Sequence, residues 1–252
     1  MSVARSGLLA VWGSAFLSGR AGYDDALDQV AAGEEVHRVS GLPGSEAEVP
    51  LGWALTAWRD RGARALRLVL PVPGDPRGLP GPGGFADAAM AAGQGVLGAG
   101  LGLVPRVTRH GSAAGSATYS VTWLAFADLA EPTWSVPQVT EAEYELTVAL
   151  REATSALRSA EATSWRPEVA GDVDRLRRAV EPALPPGHPQ RAVRLLAQAD
   201  RLAALLELAE ADGTGPLTAA AAESRTAALR PLWTAVRQAR LAAYNAEVQQ
   251  HR

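Results

Sequence analysis

The sequence predicts an α+β fold. A mixed α/β region over residues 1–135, with a small mixed sheet of three to four strands and accompanying helices, precedes an all-helical bundle of about four helices over residues 138–252. Three observations predict it. Apolar residues recur at three- and four-residue spacing through most of the second half. Short apolar or β-branched runs closed by turn residues are confined to the first half. Between the two, Glu131-Pro132-Thr133-Trp134-Ser135-Val136-Pro137 reads as a linker, so the regions are expected either as two domains or packed as one unit.

The elements follow in order. Leu8, Val11, Trp12 and Ala15 fall on one helical stripe and predict a buried helix. The apolar run around them is too short to span a membrane, which takes about 20 residues, and the amphipathic spacing favours a core helix over a signal peptide. A second helix runs from Tyr23 to Ala32 with Asp24, Asp25 and Asp28 near its positive end. Val36 to Val39 is a short strand, Leu42-Pro43-Gly44 a turn, and Leu51, Ala54, Leu55 and Trp58 mark a third helix ended by Gly62. Ala65 to Leu70 is a strand.

The segment Pro71 to Gly84 holds five prolines and five glycines in fourteen residues and leads into a helix near Phe85. Leu101 to Thr108 is expected as a strand that tolerates Pro105 only at an edge or bulge. Gly111 to Ser116 forms a turn, and the alternation of Tyr119, Val121, Trp123 and Ala125 makes the returning strand of a hairpin.

In the second half, Thr140 and Glu143 form a capping box opening a helix with Leu146, Ala149, Leu150, Ala153 and Leu157 on one stripe. Further helices are expected from Pro167 with Val169, Val173, Leu176 and Val180, from His188-Pro189 to Gly213, and through Leu229, Leu232, Trp233 and Val236, where Pro231 kinks or divides the last.

Composition excludes more function than it suggests. The 24 cationic residues are all arginine and face 27 acidic ones, a formal charge of -3 with no basic segment, so no nucleic-acid partner is expected. Arginine without lysine, beside heavy Ala, Gly and Pro usage, fits the codon bias of a high-GC bacterium. The absence of cysteine removes disulfides, thiolate chemistry and Cys-ligated metals, and fits a cytoplasmic location.

Four histidines, His37, His110, His188 and His251, have no helical i,i+4 pairing, so no metal site is expected. Gly93-Gln94-Gly95-Val96-Leu97-Gly98 matches a dinucleotide motif in letters but lacks the preceding strand and following helix, and close packing of small residues explains it better. Ser112 is not in a nucleophile elbow. The adjacent pairs Asp24-Asp25 and Glu34-Glu35 are expected as solvated charge. Trp12, Trp53, Trp58 and Trp123 are expected in the core, and Trp134 and Trp165 at the junction.

Two candidate sites remain. In the Pro/Gly loop, Asp75 and Arg77 supply charge while Gly81, Gly83 and Gly84 let backbone approach an anion at a helix start. At the end of a strand, Arg106, Arg109 and His110 cluster as contacts for an acidic partner. With no catalytic residue, metal or cofactor expected, the first functional expectation is a non-enzymatic binding, adaptor or assembly protein. It would engage another protein through its helical surface or loop 71–84, with homo-oligomerisation as one form of assembly. The alternative is a small α/β enzyme or ligand-binding domain with an anion or phosphate site at that loop.

Overall fold

The computed structural model describes residues 4–31, 36–111, 118–133, 135–159, 183–211 and 219–246. In chain order these form α1 (Ala4–Leu17), α2 (Tyr23–Ala31), β1 (Val36–Ser40), β2 (Val49–Pro50), α3 (Gly52–Asp60), β3 (Arg67–Val69), α4 (Gly84–Ala92), β4 (Gly95–Gly98), β5 (Leu101–His110), β6 (Thr118–Phe126), α5 (Val139–Ser159), α6 (Gln190–Ala211) and α7 (Ala219–Tyr244). The fold is mixed α+β. Two compact units emerge, one of Met1–Val136, Ala183–Pro189 and Tyr244–Arg252, the other of Pro137–Pro182 and Gln190–Ala243.

The first unit is built on one sheet of six strands in the order β2-β1-β6-β5-β4-β3, not the three to four expected. β1 and β6 are parallel and every other pair is antiparallel. The two extra strands carry little sequence signal: β2 is two residues long and contains a proline, and β4 lies within the glycine-rich stretch read as close packing.

Helices cover one half of this sheet from both sides. On one face, α4 sets Phe85 and Ala89 against Val69, Leu97 and Val104. On the other, α1 buries Leu9, Ala10, Val11, Trp12 and Ala15, and α3 places Trp58 fully inside with its indole N–H donating to the Leu101 carbonyl at 3.0 Å. Gly102 permits the packing of α4 on the first face. A Cβ there would lie 2.5 Å from Phe85 and 2.7 Å from Leu129.

The outer edge of β3 is sealed by side chains instead of a further strand. Leu68 N–H donates to Asn245 Oδ1 at 2.8 Å, and Asn245 Nδ2 donates to the Leu68 carbonyl at 3.0 Å, so the amide imitates a strand partner. Two residues earlier, Leu66 N–H donates to Ser14 Oγ at 2.8 Å, which in turn donates to the Ala10 carbonyl at 2.6 Å.

This seal fixes the hydrogen-bonding phase of the whole sheet. Because Leu68 turns its polar groups away from β4, its partner Val96 must turn its own toward β5 and Leu103. Alternation along β5 then directs the backbone groups of Gly102, Val104, Arg106, Thr108 and His110 to β6, and those of Leu103, Pro105, Val107 and Arg109 to the β4 side.

In the second unit, residues at helical spacing make one core: Ala142, Leu146, Ala149 and Ala153 from α5, Leu195, Ala199, Ala203 and Leu206 from α6, and Leu229, Leu232, Val236 and Ala239 from α7. Alanine at so many of these positions allows close helix approach. Ion pairs Glu143–Arg191 and Asp200–Arg240 tie α5 to α6 and α6 to α7.

Two expectations for this unit are corrected. Three of the expected helices fall among the described residues; the one expected at 167–180 lies outside them, as does the stop at Gly213. The capping box is displaced, since α5 already begins at Val139, with Ala142 N–H donating to the Gln138 carbonyl, and the Glu143 carboxylate is engaged by Arg191. Finally, the exposed Pro231 does not divide α7, which continues as one helix through it. No helix among the described residues is long and apolar enough to cross a membrane.

Candidate functional site

Where the helical cover stops, the hairpin of β5 and β6 continues. The five residues Arg106 to His110 at the end of β5 are all exposed, and so are Thr118 and Tyr119 opposite them. β4 pairs with β5 only through Leu101, Gly102 and Leu103, so among the described residues the outer edge of β5 has no neighbouring strand from Pro105 onward. Pro105 is thereby explained: its missing N–H falls on the unpaired side, where no ladder bond is lost.

Strand alternation divides the expected Arg106, Arg109 and His110 cluster between two faces. Arg106, Thr108 and His110 share one, with His110 Nε2 2.7 Å from Ser120 Oγ. Arg109 lies on the other beside Val107, 43% exposed, and Tyr119, 40% exposed. One residue of this surface carried no signal as a site in the sequence. Arg38 on β1 pairs with Thr122 on β6, which pairs with Arg106 on β5, so the two guanidinium-bearing positions flank a threonine across about 10 Å. They lie far apart in sequence, and the only local hint was the outward phase of Arg38 beside the buried Val39.

The side chains of Arg38, Arg106 and Arg109 make no ion pair or hydrogen bond among the described residues. No described carboxylate pairs with them. A planar guanidinium in this state suits bidentate capture of a carboxylate.

The Pro/Gly loop is arranged differently. Val72 and Asp75 exchange backbone hydrogen bonds at 3.2 and 2.8 Å in a tight turn around Pro73 and Gly74. Arg77 then grips Asp75 through two bonds of 2.7 Å, from Nε to Oδ1 and from Nη2 to Oδ2. The guanidinium expected to hold an anion is engaged by the neighbouring carboxylate. Gly81 and Gly83 adopt φ of 120° and 145°, and the space that a Cβ would occupy at either is open, so backbone conformation rather than crowding calls for glycine there. Gly84 begins α4, with Phe126 packed close by.

The remaining candidates separate. Gly93 closes α4 and Gly95 to Gly98 are β4, so helix precedes strand, the reverse of a dinucleotide fingerprint. Trp12, Trp58 and Trp123 are buried as expected, but Trp53 is 57% exposed because it falls off the stripe of Ala54, Leu55 and Trp58. Ser112, Glu34, Glu35, Trp134, Trp165 and His251 lie outside the described residues. Among the described residues no three His, Asp or Glu side chains converge as a metal site would require.

The chain is similar to "Uncharacterized protein Rv1486c" of Mycobacterium tuberculosis, 30% identical over 94% of this chain and 95% of that one. It is also similar to "Uncharacterized protein ML1804" of Mycobacterium leprae at 28% identity and "Uncharacterized protein MAV321" of Mycobacterium avium at 29%, with the same coverage. All three come from mycobacteria, in keeping with the high-GC composition. No solved structure matches the chain. Residues 6–139 match the N-terminal domain and residues 140–241 the C-terminal domain of the Rv1486c-like proteins, and the chain belongs to that family.

Proposed function

We propose that the protein is a non-enzymatic binding or adaptor protein that engages an acidic protein partner through the exposed end of its sheet. One observation carries this reading: the side chains of Arg38, Arg106 and Arg109 have no ion-pair partner among the described residues, on a part of the sheet that no described helix covers. An exposed surface that keeps cations unpaired is suited to meeting carboxylates from elsewhere, and such complementarity sets partner choice and association rate. The cysteine-free sequence supports placing this activity in the cytoplasm. No ligand is assigned to the Pro/Gly loop, whose arginine is held by Asp75.

The test uses the full chain and a fluorescently labelled peptide of repeating Val-Glu-Glu-Val, which carries glutamates on both faces of an extended strand, followed by anisotropy. The native protein is expected to bind it, more weakly as salt is raised. Reversing the charges together, in R38E/R106E/R109E, is expected to weaken binding by about 100-fold, as loss of several charge-assisted contacts implies. Unchanged binding by the reversed variant contradicts the proposal.

A further inference from the structure

The geometry points to strand addition as the way the partner is held: an extended acidic segment pairs with the outer edge of β5 at Val107 and Arg109. This inference rests on the binding proposal and specifies its mode. The hydrogen-bonding phase set by Asn245 at the far edge of the sheet turns the N–H and C=O of Val107 and Arg109, and the carbonyl of Pro105, toward the side where β4 has ended. Neither residue has another backbone partner among the described residues. An incoming strand would thus find a ready row of donors and acceptors.

The two edges of the sheet differ in the way this requires. At β3, Ser14 and Asn245 occupy the outward groups of Leu66 and Leu68. At β2, the strand is only two residues long and includes Pro50, which has no N–H. The distal half of β5 is long, regular in register and, among the described residues, unsealed.

Charge selects the occupant. Arg106 and Arg109 project to opposite faces, so a segment carrying acidic residues at successive positions would meet a guanidinium on each side. A second copy of the same edge would bring further arginines and no carboxylate, so it offers these guanidiniums no counter-charge. The fitting partner is therefore an acidic segment of another protein and not a second copy of this chain.

A single substitution separates backbone pairing from side-chain attraction. In Val107→Pro the outward N–H is lost while the ladder to β6 is untouched, as already holds naturally two residues earlier at Pro105. With the Val-Glu-Glu-Val peptide and the full chain, Val107→Pro is expected to weaken binding about tenfold, the order of one hydrogen bond with its steric consequence. R106E/R109E is expected to weaken it at least as much. In the native chain, saturating peptide is expected to slow amide exchange at Val107 and Arg109, and this readout stands even if the proline variant does not fold.

Binding that survives Val107→Pro but is lost in R106E/R109E overturns strand addition and leaves side-chain capture of an acidic partner. No binding by the native chain up to about 1 mM overturns both proposals. Unchanged exchange at Val107 and Arg109 in saturated protein, or a dimer of the free chain dispersed by Val107→Pro, overturns strand addition by an acidic partner.

Discussion

Asn245→Leu is expected to lower the unfolding free energy by about 2–4 kcal/mol, measured by denaturant titration with an unchanged slope. Leucine is of comparable size to asparagine but has neither its donor nor its acceptor. Leu68 and Asn245 are both fully buried, so the N–H and C=O of Leu68 would remain unpaired out of reach of water. Each orphaned group costs about 1–3 kcal/mol. Asn245→Asp retains an acceptor for the Leu68 N–H but places a second acceptor against its carbonyl, and should be no milder. A loss below about 0.5 kcal/mol in Asn245→Leu would mean that the β3 edge is held some other way.

Trp58→Ala should have the largest effect of any single truncation, about 4–5 kcal/mol by the same measurement. The side chain is wholly enclosed, and removing a buried tryptophan costs about 3–5 kcal/mol through lost contacts and the cavity left behind. The Leu101 carbonyl also loses its indole donor at the point where β5 begins. Trp58→Phe isolates that bond and should recover most of the packing. Trp53→Ala in the same helix should cost less than about 1 kcal/mol, since that ring is mostly in solvent. Equal losses at the two positions would contradict the helix phase.

The two tryptophans also show where the sequence was legible. Periodicity identified α3, and the stripe through Leu51, Ala54, Leu55 and Trp58 is its buried face. Trp53 was expected on an apolar stripe of the first part, but its angular position lies outside the buried one. In the second unit, the alanine and leucine stripes correctly mark the buried faces of the described helices. The capping box failed because a local pattern competes with the helical bond already formed by Gln138, and because Glu143 has a better partner in Arg191.

The candidate site was only partly legible. Arg106, Arg109 and His110 were visible as charge at a strand end, and Pro105 correctly signalled an edge. The face each arginine occupies depends on register, which is set by pairings with residues distant in sequence. Arg38 joins Arg106 only through β6, and the edge of β5 is open only because β4 is shorter than β5. Neither is a local property of the chain. In the Pro/Gly loop, the two charged residues were read as ligands for something else, whereas their two-residue separation lets them satisfy each other.

Residue-resolved amide exchange of the free native protein tests the central claim most directly. The N–H groups of Arg106 and Thr108 point to β6, while those of Val107 and Arg109 point to the unpaired side. The expected pattern is therefore alternating, with Val107 and Arg109 exchanging at least about tenfold faster than Arg106 and Thr108. Protection at Val107 and Arg109 equal to that of their neighbours would show that this edge is already covered, and would contradict the account.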